Sequence, residues 1–374
     1  MLPYGRQSVS EEDVAAVAAV LSGDWLTTGP HVAEFESAIS AVVGGHRAVS
    51  CTSGTAALHI AYAALGLGPG DEVVTTPMTF VATASTASVL GATIVFADVE
   101  EDTALIDPGA VSALVGDRTR VVAAVDYAGH PCDYDRLNEL AAGVGAVTLA
   151  DAAHSVGGTS HGRPVGDLAD ITTMSFFPTK NLTTGEGGAV VARDPALAQR
   201  AAEFHNIGLI RDPDRFEITD QGPWHQEVHE LGLNYRLTDI GSALGLSQLR
   251  RLQQFKQRRA EIKDRYDQAL AGVAGVRVPV RRDDVDPAWH LYPLRVLDGR
   301  RREVFEKMRA AGIGVQVNYL PVYWHPVYAR MGYRRGMCPH AEAFYAEELS
   351  LPMFPDLTDT QVDHVVEQLV EALH

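Results

Sequence analysis

From Arg47 to Arg193 the chain alternates short β-branched runs with segments of helical period, and few architectures accommodate that alternation. RAVSC leads into a helix over Ala56–Leu65, EVVTT into a helix over Val81–Leu90, and TIVFADV and VVAAVDY (Val121–Tyr127) precede a helix over Tyr134–Ala142. AVTLA (Ala146–Ala150), ITTMSF (Ile171–Phe176) and AVVAR (Ala189–Arg193) complete the set. Strands separated by helices of this length form βαβ units, and their mostly parallel sheet has to be covered on both faces. The fold class is α/β.

Outside that block the signals change. Ser10 and Asp13 have the spacing of a helix cap, with Val14, Val17 and Leu21 recurring on one face behind them. Asp212–His229 has neither period and reads as a long loop, a feature that in compact domains tends to be functional. One long helix is expected over Thr238–Leu270. Strands near Val276–Val278 and Leu291–Val296, a helix over Arg302–Ala311 and a last helix from Thr358 then form a smaller α+β unit. A length of 374 residues calls for about two domains, expected here as residues 1–245 and 246–374.

Composition removes several functions. A net charge of -17 repels a phosphate backbone, so nucleic acid is not expected as a partner. The densest basic run, RRLQQFKQRR from Arg250, reads as a solvated helix face. No apolar stretch approaches the roughly 20 residues that cross a bilayer, so no membrane span is expected. Cys51, Cys132 and Cys338 stand in unrelated contexts without CxxC spacing, which argues against a disulfide framework and a metal site. MLPYGRQSVSEED carries acid early and lacks a secretory pattern, so the expected location is cytoplasmic.

Three segments carry chemistry. In SFFPTKNLTTGEGGAVV a strand ends in Ser175, Lys180 follows Pro178, and Gly185, Gly187 and Gly188 permit a tight return. A lone lysine is ordinarily a solvated charge; one partly buried in such a turn has a lowered pKa, as an imine-forming amine requires. In AVTLADAAHS a buried strand delivers Asp151 and then His154 to the carboxyl edge of the sheet, where ligands bind. A carboxylate there either holds a protonated ring nitrogen or caps the next helix. In CTSGTAALHIA a strand, a turn and a helix place Gly54 and Thr55 where free N–H groups would cup a phosphate, and Ser175 can reach the same phosphate. Phe80 in TTPMTFVATA is either a ring that stacks on a cofactor or a core aromatic.

SGTAAL, PMTFVATA, DAAHS, SFFPTKNLTTGEGGAVV and LGLNYRLTDIGSALG together resemble the DegT-type sugar aminotransferases, and the likeness runs nearly end to end. Within them, PYGRQS, DWLTTGP, YAGHPCD, HELGLNYRLTDI and LGLSQLRRL are most similar to the transaminases of the pseudaminic acid pathway. The resemblance implies the PLP-dependent transferase fold type I, a large domain with a mostly parallel mixed sheet flanked by helices and a smaller C-terminal α+β domain. It implies pyridoxal 5'-phosphate as cofactor, with Lys180 as the Schiff-base lysine, Asp151 at the pyridine nitrogen and His154 near the cofactor hydroxyl. Gly54, Thr55 and Ser175 match phosphate contacts, Phe80 the stacking ring, and Asn234 a residue reaching the phosphate of the neighbouring subunit. A homodimer with shared active sites follows from that last match.

The implied reaction passes an amino group from L-glutamate to carbon 4 of a nucleotide-linked, UDP-type, 4-keto-6-deoxy amino sugar. Arg6, Arg211 and Arg236 are candidates for its diphosphate, and Tyr4, Trp25, Thr27, Asn318 and Tyr319 for the sugar. Asn318 stands where relatives commonly carry histidine, and Phe177 likewise replaces a histidine. Members that dehydrate sugars have histidine at the position of Lys180, so its presence favours amino transfer. A dTDP-linked keto sugar or keto cyclitol as acceptor, and a regulatory protein that binds the cofactor without turnover, are the alternatives. A nucleotide-binding oxidoreductase is disfavoured because no GxGxxG follows a strand.

Overall fold

The computed structural model describes residues 1–374. Seven strands form the main sheet: β1 (Ala48–Cys51), β2 (Glu72–Thr75), β3 (Thr93–Phe96), β4 (Thr119–Val125), β5 (Val147–Asp151), β6 (Ile171–Ser175) and β7 (Gly188–Ala192). Their spatial order is β1-β7-β6-β5-β4-β2-β3. Only β7 runs antiparallel to its neighbours; the other pairings are parallel. The strands are buried almost throughout, which is why they read as continuous apolar runs rather than as alternation. Cys51, Thr75, Val125, Asp151 and Ser175 all end at one edge of the sheet. Gly188 begins β7 between β1 and β6, where a Cβ would stand 2.5 Å from the Ser53 carbonyl oxygen.

The first helix, α1 (Glu11–Leu21), has the expected cap: Ser10 Oγ accepts from Asp13 N, and Asp13 Oδ2 accepts from Ser10 N. Its buried face is not the expected one. Val14 and Leu21 are exposed, and α1 instead buries Val20 and the carboxylate of Asp13, which accepts from Gln248 Nε2 at 2.6 Å and from Arg251. A second helix, α2 (Pro30–Val42), was not anticipated; Gly29-Pro30 followed by Phe35, Ile39 and Val43 at four-residue spacing is its signal. Its first amides donate to Asp239, Gly29 N at 2.7 Å and His31 N at 2.9 Å. The helices α3 (Gly54–Ala64), α4 (Ala82–Val89) and α5 (Tyr134–Gly143) lie in the crossovers between strands.

The long helix expected over Thr238–Leu270 is two, α6 (Asp239–Leu249) and α7 (Leu252–Leu270). They part at Arg250–Arg251, where Gln248 and Arg251 both turn back to Asp13. The solvated-face reading of the basic run fails at Arg259, which is 1% exposed. It follows Phe255 by four residues and precedes Ile262 and Tyr266 on the buried stripe of α7, and it donates to the carbonyls of Met353 (3.0 Å), His290 (3.3 Å) and Thr179 (3.5 Å). The Asp212–His229 loop is largely irregular, but Leu209–Ile210 pairs with Glu227–Val228 across it.

Three further strands, β8 (Val276–Arg277), β9 (Tyr292–Val296) and β10 (Glu348–Leu351), form an antiparallel sheet with β9 in the centre. The helices α8 (Arg301–Ala310) and α9 (Asp359–Leu373) pack with it around a second cluster of buried side chains. The larger cluster fills the main sheet and extends past residue 245 to Leu252, Trp289 and Val322. The division into 1–245 and 246–374 is a proposal, and the larger cluster crosses its boundary. Residues 2–4 join the second unit, since Leu2 bridges Ile313 and Met353 N donates to the Tyr4 carbonyl. No helix is long and apolar enough to cross a membrane.

Candidate active site

Lys180 projects from the turn that leaves β6. Its backbone N–H donates to the Phe177 carbonyl at 2.9 Å, and the next side chain, Asn181, donates through Nδ2 to the carbonyls of His154 and Ala288, both at 2.9 Å. That amide joins three segments that face one cavity of about 760 Å³. Lys180 lines it, partly buried, and desolvation pulls its amine down to about 8 against the opposing pull of the Asp151 charge.

Asp151 ends β5 and is 6% exposed. Thr83 Oγ1 donates to its Oδ2 at 2.6 Å and Ala153 N to its Oδ1 at 3.2 Å. Burial raises its pKa; these donors and the Lys180 charge act the other way. No helix follows it directly, so the helix-capping alternative is excluded. His154 Nε2 lies 3.2 Å from the Tyr319 hydroxyl, and its ring centroid is 4.4 Å from that of His290. Burial first, then the Lys180 charge, pushes the His154 pKa well below its usual value. The Nδ1 atoms of both histidines are buried without a hydrogen-bond partner.

Gly54 and Thr55 open α3, and Ser53 Oγ accepts from Ala56 N as its cap. The helix start lies so close to β6 that a Cβ on Gly54 would stand 2.7 Å from Ser175 Cβ. The first two amides of a helix lack intrahelical partners, so this corner of the cavity suits an anion. Phe80 is 59% exposed, which excludes the core reading, and its ring meets Tyr319 edge to face at 6.2 Å. Tyr4, Asn318 and Tyr319 also line the cavity.

The cavity thus gathers Lys180, Asp151, His154, Gly54, Thr55, Ser175, Phe80, Tyr4, Asn318 and Tyr319 from segments far apart in sequence. It does not gather Arg6, Trp25, Thr27, Arg211, Asn234 or Arg236. Arg6, Trp25, Thr27, Arg211 and Asn234 are exposed on the surface of this chain. Arg211 Nε contacts Gln226 Oε1 at 3.4 Å and Arg236 Nη1 donates to Asn206 Oδ1 at 2.8 Å. Thr83 and His290 were missed. The spacing of Thr79, Thr83 and Thr86, running from the loop after a strand end into α4, is the signal for the first; nothing in WHLYPLR separates the second from an ordinary strand start.

The profile of the DegT/DnrJ/EryC1/StrS aminotransferase family matches residues 7–370. The spore coat polysaccharide biosynthesis protein SpsC of Bacillus subtilis is 39% identical over 373 residues, 98% of this chain and 95% of that protein. The putative sugar aminotransferase Spr1654 of Streptococcus pneumoniae, in its PMP form, superposes with a TM-score of 0.94 at 30% identity, covering 100% of this chain and 99% of that one. Helicobacter pylori PseC, an aminotransferase involved in the biosynthesis of pseudoaminic acid, gives 0.93 at 30% identity with the same coverage.

Proposed function

The chain belongs to the DegT/DnrJ/EryC1/StrS aminotransferase family, and we propose that it carries the amino group of L-glutamate to carbon 4 of a UDP-linked 4-keto-6-deoxy amino sugar. It is a sugar aminotransferase, and its cofactor is pyridoxal 5'-phosphate. The residues present fit that group. The open helix start at Gly54 and Thr55 suits its phosphate, Asp151 retains lone pairs for a ring N–H, and the orphaned Nδ1 atoms of His154 and His290 lie in the same wall. When bound, the cofactor supplies the electron sink that lets an amine be exchanged for a carbonyl.

The observation that carries the reading is an amine depressed to about 8 in the same cavity as a buried, doubly hydrogen-bonded carboxylate. Near neutral pH Nζ of Lys180 is available both to accept a proton from the donor's α carbon and to return one. Asp151 holds the ring-nitrogen proton in place by its charge, and Thr83 and Ala153 N keep its oxygens aimed. Phe80 flanks the mouth, and burial keeps His154 neutral so that it adds no competing cation.

The UDP-linked acceptor rests on the resemblance to the pseudaminic acid pathway transaminases, with which the likeness to PseC accords, and the cavity has room for more than the cofactor. A homodimer is supported by apolar side chains left exposed, including Val14, Leu21, Trp25 and Trp224. In such a dimer Asn234, Arg211 and Arg236 serve the partner's cavity rather than their own. The test is the visible spectrum of protein with pyridoxal phosphate before and after L-glutamate, followed by a panel of UDP-linked, dTDP-linked and cyclitol ketones. Loss of the cofactor band with glutamate and turnover of the UDP ketone alone is the expected result. A band indifferent to every amino donor rejects transfer in favour of a binding protein.

A further inference from the structure

Behind the sugar side of the cavity, on the reading just proposed, runs a relay of hydrogen bonds through residues the reaction does not touch. Glu348 and Ser350 lie on β10, both fully buried. The Asn318 backbone N–H donates to Glu348 Oε2 at 2.6 Å, and the Ser350 hydroxyl donates to Glu348 Oε1. Ser350 Oγ accepts from Asn318 Nδ2 at 3.0 Å, and the same nitrogen donates to the Tyr4 hydroxyl oxygen at 2.8 Å. Asn318 and Tyr4 line the cavity; Ser350 and Glu348 do not.

With Glu348 ionised, counting protons fixes the direction of this chain. Ser350 has one proton and gives it to the carboxylate, so toward Asn318 it can only accept. The amide must therefore turn its NH2 group inward, and its second proton goes to Tyr4. An imidazole at 318 carries at most one proton on each nitrogen and could not serve both acceptors from one atom. The Tyr4 oxygen is thus occupied as an acceptor, and its hydroxyl donates no hydrogen bond of good geometry within the protein, although the Ser350 hydroxyl lies beside it. We infer that Glu348 is a positioning residue whose ionised carboxylate, through Ser350 and Asn318, holds the Tyr4 hydroxyl as a hydrogen-bond donor to an oxygen of the bound sugar.

The polarity follows the charge on Glu348. Burial pushes its carboxyl up to about 8; Arg301 is the cation acting on it, and the hydroxyls of Tyr4, Tyr127 and Tyr319 face it. Once protonated, Glu348 donates to Ser350, Ser350 donates to a flipped Asn318, and the amide oxygen takes the Tyr4 proton. Sugar binding therefore strengthens as pH rises and the carboxyl ionises. Glu348→Gln locks the reversed state, because the Asn318 backbone N–H draws the glutamine carbonyl and leaves its NH2 facing Ser350.

The experiment measures the two half-reactions of the holoenzyme separately, L-glutamate against the pyridoxal form and the keto sugar nucleotide against the aminated form. Wild type, Tyr4→Phe, Glu348→Gln and the double variant are compared across pH. Each single variant is expected to lower kcat/KM for the sugar roughly five- to tenfold, the loss of one hydrogen bond, and by several times more than for glutamate. The double variant should be no worse than Tyr4→Phe, and Glu348→Gln should flatten the rise in sugar kcat/KM around the carboxyl's titration. Ser350→Ala, which cuts the relay while keeping the carboxyl itself, should show the same selective loss should Glu348→Gln not fold. Losses equal in both half-reactions, or losses that multiply in the double variant, overturn the relay. A wild type that aminates no keto sugar instead overturns the proposed function, and the relay's role falls with it.

Discussion

Thr83 donates its hydroxyl proton to Oδ2 of Asp151 at 2.6 Å, across 68 residues of sequence, and Thr79 Oγ1 stands 2.8 Å behind it. The buried carboxylate therefore depends on α4 for one of its two donors. Burial already raises the Asp151 pKa, so removing that donor moves it further from the ionised form that a ring N–H needs. Thr83→Val, which keeps the side-chain shape, is expected to cost about 1 to 3 kcal/mol of stability and to slow turnover on the order of tenfold. Urea unfolding and steady-state kinetics check both effects, and Thr83→Ser should recover most of each. Unchanged turnover in the valine variant would remove Thr83 from the site.

Lys180 is expected to be indispensable in a way its neighbours are not. Lys180→Ala removes the amine that links the cofactor and moves the proton, so kcat should fall by roughly 10⁴-fold or more. The cavity walls survive the change, and pyridoxal phosphate should still bind, now dialysable and without the covalent band. Mass spectrometry after borohydride reduction, which should add the cofactor to wild type alone, is the direct readout. Incorporation into the alanine variant would assign the link to another lysine.

The two buried imidazoles give the apoprotein a pH signature. His154 and His290 are both held well below their ordinary value near 6.5, chiefly by burial. Between that value and their folded pKa the unfolded chain binds protons that the folded chain does not, so stability rises with pH there. Their contribution is complete above about 6.5 and is lost progressively as pH falls. His290→Gln should flatten the stability profile below pH 6.5 by up to about one proton's worth of slope. Denaturant titrations of the apoprotein from pH 5 to 8 measure it, and a slope identical to wild type rejects the assignment.

The strands and the segments holding Lys180, Asp151 and Gly54 were legible because their signals are local. Each residue sits at a strand end whose apolar run is continuous in sequence, and the glycines and proline that shape the turns lie within a few positions. What was not legible is settled across the fold. The polar face of α1 buries Asp13 because Gln248 and Arg251, more than 230 residues away, supply its donors on either side of the break between α6 and α7. Phe80 could not be assigned to core or cavity until its exposure was seen. Glu348 looks like half of an ordinary surface pair in AEELS; burial on β10 makes it otherwise.

Arg259 offers the sharpest test of how the second unit supports the site. Its guanidinium, drawn down to about 10 by burial, has no carboxylate partner and instead donates to the carbonyls of Met353, His290 and Thr179. The last of these belongs to the turn that carries Lys180. A planar fork spreads its donors over separate nitrogens, whereas an ammonium offers three from one compact atom. Arg259→Lys should therefore keep the charge yet lose on the order of 2 kcal/mol, since at least one buried carbonyl is left unpaired. Arg259→Met keeps most of the volume and removes the buried charge, but strands all three carbonyls, and should lose about as much or more. Both should also weaken cofactor retention, because the Thr179 contact links the Lys180 turn to α7. Unfolding by urea with and without pyridoxal phosphate separates the effects: a loss of stability in the apoprotein with an unchanged gain on adding cofactor would limit Arg259 to packing, whereas a reduced gain ties it to the site.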